Sequence, residues 1–93
     1  MKYKILRPPL HENFELPSRE ELLNVNLDQM VKIIFQVDEE IPERMWVRVV
    51  KQVSDSEWYG VLDNDPVGEQ LKKTISAGDK VIFHPLDVIQ IWK

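Results

Sequence analysis

The run from Arg44 to Leu62 constrains this chain more than any other. Between Arg44 and about Ser54, Met45, Val47, Val49 and Val53 fall on one side of an extended backbone, with Trp46, Arg48, Val50 and Gln52 on the other. Ser54-Asp-Ser56 supplies a polar turn, and Glu57-Trp-Tyr-Gly-Val-Leu62 returns as a second strand. The two runs predict a hairpin long enough to bend around a small barrel. Gly60, inside the returning strand, predicts a bulge or a close backbone approach.

The rest of the chain extends this β pattern. From Gln29 onward Val31, Ile33, Phe35 and Val37 share one face, with Lys32, Ile34 and Gln36 on the other, until Asp38-Glu-Glu-Ile-Pro42 interrupts. Residues 2–6 predict a short strand, and Pro8-Pro9 opens a loop to about Pro17. Ser18-Arg-Glu-Glu21 has capping-box spacing and predicts a short helix from Ser18 to Asn24, with Leu22 and Leu23 as its apolar contacts. Residues 64–79 read as loop with one helical turn around Glu69 to Lys73. Lys80 to His84 forms another strand, Pro85-Leu-Asp87 a tight turn, and Val88 to Trp92 a last strand. The endings of Leu27–Phe35 and Ile75–Phe83 share a lysine, an aliphatic residue, isoleucine and phenylalanine, the same strand construction used twice. Short strands joined by turns around one minor helix predict a mainly β (α+β) fold. Its form is a small curled antiparallel sheet or SH3-like barrel with a short N-terminal helix. Residues 1–93 make one domain, with 30–93 as its β-rich core and 1–16 as an extended N-terminal segment.

Composition narrows the function classes. Twelve Lys and Arg against sixteen Asp and Glu leave a net charge of −4, which lacks the overall basic footprint of a general nucleic-acid binder. Without cysteine the chain has no disulfide, thiolate metal site or cysteine nucleophile, in keeping with a reducing compartment. Arg7 and two prolines break the first apolar run before a signal-peptide core can form, and no run reaches the ~18 apolar residues of a membrane span. The chain reads as cytoplasmic, with no membrane partner.

Chemical motifs are few. Asp63-Asn-Asp-Pro-Val-Gly68 has acids at the first and third positions and glycine at the sixth, as in a calcium loop, but Val67 and Thr74 stand where side-chain ligands belong. Asp63 and Asp65 could act as an acid and base pair in a hydrolase, provided a cleft drove their properties apart. A turn explains them more simply, because Asp and Asn bond nearby backbone amides and Pro66 ends the strand. His11 and His84, with Glu12 or Asp87, lack ligand spacing on any one element. The isolated Gly60, Gly68 and Gly78 form no phosphate loop. The expectation is a non-enzyme without cofactor or metal.

Four segments in order carry a resemblance: Glu43-Arg-Met-Trp-Val47, Tyr59-Gly-Val-Leu-Asp-Asn-Asp-Pro66, Gly78-Asp-Lys-Val-Ile-Phe83 and Asp87-Val-Ile-Gln-Ile-Trp92. Over residues 30–93 the chain resembles the bacterial YegJ-like family of small domains. The resemblance implies a cytosolic bacterial β-rich domain and brings no reaction, cofactor or catalytic residue with it.

Function is therefore sought on a surface. With the other strand residues inward, Ile34, Trp46, Val50 and Ile82 point outward and need a cover: the N-terminal helix with Leu22 and Leu23, a second copy, or a partner. Trp and Arg are favoured interface anchors. The expected contact surface comprises Trp46, Arg48, Trp58, Asn64 and Asp65, serving a small interaction module for a protein partner, with self-association as a further outcome. The alternative is a single-stranded nucleic-acid-binding barrel that uses Arg44, Arg48, Lys51, Lys72, Lys73 and Lys80.

Overall fold

A computed structural model describes residues 3–8 and 16–93. Most of the extended segment expected over 1–16, and with it His11 and Glu12, lies outside the described residues. The strands are β1 (Lys4–Leu6), β2 (Met30–Gln36), β3 (Glu43–Gln52), β4 (Trp58–Leu62), β5 (Lys80–Phe83) and β6 (Gln90–Ile91). The helices are α1 (Arg19–Leu23) and α2 (Glu69–Thr74), and Pro85–Asp87 forms a 3-10 turn.

The strands make the curled antiparallel half-barrel expected of this pattern, in the order β1-β2-β3-β4-β5. β6 pairs with Val31 and Lys32 of β2, on the edge whose other end carries β1. The sheet is open: among the described residues no ladder joins β1 to β5. The inner face buries Val31, Ile33 and Phe35 of β2, Met45, Val47 and Val49 of β3, and Val81 and Phe83 of β5. Trp58 and Leu62 of β4, Val37, Ile91, Leu22 and Val25 near α1, Leu71 and Ile75 at α2, and Val88 complete that core.

Ser18 accepts from the Glu21 amide while Glu21 accepts from the Ser18 amide, so the capping box forms as its spacing predicts. Only Leu22 of the leucine pair is buried; Leu23 is 74% exposed, because so short a helix turns a single position into the core. α1 thus covers the inner side of the sheet and leaves the Trp46 face open. Ile34 keeps the outward side, in one row with Leu6 and Arg44, but is buried there at 8%.

The β3–β4 hairpin holds the main departure from strict alternation. Its register is regular from Val47↔Leu62 to Val49↔Gly60, then slips so that Lys51 faces Tyr59 and Gln52 faces Trp58. Val50 is the extra residue of a bulge, and everything after it changes side. Val53 is therefore exposed rather than inward, and Gln52 reaches inward to donate to the Val25 carbonyl at 3.0 Å. Gly60 faces the bulge across a very close approach. A Cβ there would lie 2.2 Å from the Arg48 carbonyl oxygen and 2.7 Å from Val47 Cγ1.

Two acids from outside α2 cap it. Gly68 at its N-terminus offers no side chain, and the Glu43 carboxylate instead accepts from the Val67 and Gly68 amides, both at 2.8 Å. Glu40 accepts from the Gln70 amide at 3.2 Å. Negative charge at a helix start is stabilising, because the first amides have no partner within the helix. Glu43→Gln keeps one acceptor oxygen and loses the charge, and is expected to cost about 1–2 kcal/mol in urea unfolding. Among the described residues no helix is long and apolar enough to cross a membrane.

Candidate functional site

The outer face of the sheet is assembled by the register. One row across it runs Met30, Arg48, Val61, Lys80, and a second runs Gln90, Lys32, Trp46. A third carries Lys51, Tyr59 and Ile82. The Trp92 amide donates to the Met30 carbonyl, which brings Trp92 onto the same face. There Trp46 and Trp92 meet edge to face, with ring centroids 5.2 Å apart. The Lys32 ammonium lies 4.6 Å above the Trp46 ring, and the Lys80 ammonium 4.1 Å above Tyr59. Such cation–π contacts hold lysines against aromatic faces while leaving their charge at the surface.

Charge is segregated on this face. Its strand positions include Lys4, Lys32, Arg44, Arg48, Lys51 and Lys80, six of the chain's twelve Lys and Arg, and no Asp or Glu. Glu43, the acid of β3, belongs to the inner side opposite Phe35, and Asp63 lies just beyond β4, where its amide donates to the Trp46 carbonyl. Trp92, at 60% exposed, is the most accessible ring of the pair.

The residues singled out from the sequence divide. Trp46 is half-buried and Arg48 exposed, two residues apart on this face. Asn64 and Asp65 are exposed in the loop at its rim. Asp65 is engaged within the fold, accepting from the Ala77 amide at 2.9 Å and tying its loop to the turn before β5. Trp58 belongs elsewhere: it is 6% exposed and packs edge to face on Phe83 at 6.1 Å, in the inner core. The alternation of β4 itself is the cause, since Trp58 shares the inner side with Gly60 and Leu62. Lys72 and Lys73 sit on α2, away from the sheet positions of Arg44, Arg48, Lys51 and Lys80. Sequence reasoning missed Lys32 and Trp92, because β6 meets β2 through a pairing nearly sixty residues apart in the chain.

Other polar groups have structural partners. Asp87 is buried, accepts from the His84 amide at 2.9 Å and pairs with Arg7 Nε at 3.2 Å. His84 Nδ1 accepts from the Leu86 amide, which leaves Nε2 to carry the proton of the neutral ring. Lys93 pairs with Glu21, and that ammonium together with the Ser18 amide lowers the Glu21 pKa below the ordinary value. Among the described residues no group of three or more His, Asp or Glu side chains gathers as a metal site.

Tyr3 packs on Phe35 with ring centroids 5.4 Å apart, and burial, followed by the charge of Asp79, raises its phenol above the ordinary 10.0. The folded protein therefore keeps a proton that the unfolded chain releases above that pH. Stability is expected to fall as pH rises from about 10 through the folded value, and Tyr3→Phe should flatten that fall in urea titrations.

No family model, curated protein or solved structure matches this chain.

Proposed function

We propose that the protein is a small cytoplasmic interaction module whose outer sheet face recognises an acidic segment of a protein partner. One observation carries the reading: a chain of net charge −4 places six cations and the Trp46–Trp92 pair on a face whose strand positions hold no acid. Segregated charge steers encounter and selects partners of opposite sign. The paired indoles supply amphipathic anchors, with Arg48 beside them as a hydrogen-bonding cation.

Single-stranded nucleic acid is the second reading, favoured by the combination of cations and aromatic rings. Base stacking needs open ring faces, however, and Lys32 and Lys80 already lie over Trp46 and Tyr59. A carboxylate-bearing segment can engage those ammonium groups without displacing them, so the protein partner ranks first.

Tryptophan fluorescence titrated with poly-L-glutamate and with oligothymidylate separates the two. Saturable, salt-sensitive binding of polyglutamate is expected, weakened by about tenfold or more in Arg48→Glu. Binding of oligothymidylate alone would transfer the function to nucleic acid. Absence of binding to either at low salt would remove the outer face as a contact surface.

A further inference from the structure

We propose a second binding site, in the open seam of the half-barrel, where the free edge of β5 takes up an extended peptide from a partner as an added strand. The backbone pattern supports this. Leu62 donates to the Asp79 carbonyl, and Asp63 donates to Trp46 on the opposite side of β4. In the β4–β5 register this directs the backbone groups of Val81 and Phe83 toward β4 and those of Lys80 and Ile82 away from it. Among the described residues nothing pairs with those outward N–H and C=O groups.

Apart from its shortness, at four residues, the edge has little protection. Folded proteins guard sheet edges with prolines, bulges or projecting lysines. β5 has no proline or bulge, its one lysine is drawn over Tyr59, and Ile82 at its outward position is 56% exposed. Beside it lies a groove of about 670 Å³, with Tyr3 and Ile5 on the β1 side, Phe83 and His84 on the β5 side, and Glu57 at its rim. Asp87 in the same groove is already paired with Arg7, so Glu57 is the acid that remains for a guest. The matching guest is an extended segment with apolar side chains toward Tyr3, Ile5 and Phe83 and a lysine or arginine toward Glu57. Its basic character sets it apart from the acidic partner of the outer face.

The probe is a pool of capped peptides of about nine residues, alternating valine or isoleucine with lysine or threonine. Added to the full chain, these peptides are expected to slow hydrogen exchange at the Lys80 and Ile82 amides by about tenfold or more. Ile82→Pro removes an N–H that points away from β4 together with the exposed Ile82 side chain and breaks no β4–β5 bond, so it is expected to abolish binding while the Val81 and Phe83 amides stay protected. Peptides N-methylated along one edge provide a test that leaves the protein unaltered, and should fail to bind. Trp46→Ala should bind the pool as the native chain does, which separates this site from the outer face. Unchanged exchange at Lys80 and Ile82 with millimolar peptide overturns the proposal. So does tight binding of the N-methylated peptides, or a concentration-dependent dimer that already protects these amides without peptide.

Discussion

Gly60→Ala is expected to destabilise the protein by about 3 kcal/mol or more, in a steep shift of the urea midpoint. On chain entropy alone the opposite sign would be expected, because alanine usually stabilises a strand relative to glycine by about 0.5–1 kcal/mol. Distance decides the matter. The new methyl would lie 2.2 Å from the Arg48 carbonyl oxygen, a backbone atom held in the β3–β4 ladder, and 2.7 Å from buried Val47. Neither neighbour is the end of a flexible exposed side chain, so β3 and β4 must separate where the core is most completely buried. Gly78, with φ of +95° and nothing near its missing Cβ, makes the comparison useful: alanine there meets only backbone strain.

Trp58→Ala is expected to cost about 3–5 kcal/mol, the range for deleting a buried aromatic side chain. For a domain whose whole stability is of order 5–15 kcal/mol, that loss leaves a marginal fold. Trp46→Ala, by contrast, removes a half-buried ring with its edge-to-face contact to Trp92 and its cation–π contact to Lys32, and should cost about 1–2 kcal/mol. Thermal unfolding of the two variants side by side measures the difference. Equal, small losses would mean that Trp58 lies on the surface, as its sequence neighbourhood suggested.

Legibility of the fold followed the range of the interactions. Local signals translated directly: alternation in Val31–Val37 and Met45–Val49 gave the strands, Ser18 and Glu21 gave the capped helix start, and Asp63–Pro66 gave the strand end. The bulge was half legible. Gly60 announced a close approach, but the register slip occurs on the opposite strand at Val50, so the alternation carried past it put Val53 inward; Trp58 was legible from its own strand, where it shares the side of the buried Leu62. Glu43 capping α2 from 24 and 25 residues away has no local signature at all. The outer face was found through Trp46 and Arg48, whereas its other half, Lys32 and Trp92, depended on β6 joining β2. Charge totals concealed it as well, because a net negative chain can still gather its cations on one side of a sheet.

The outer face is the proposed working surface. Amide and indole chemical shifts recorded during titration with poly-L-glutamate at low salt test it most directly. The expected result is a contiguous set of shifts at Lys32, Trp46, Arg48, Lys80 and the Trp92 indole, lost together as salt is raised. Shifts scattered over α1, α2 and the loops, or none on this face while the polyanion binds, would contradict it.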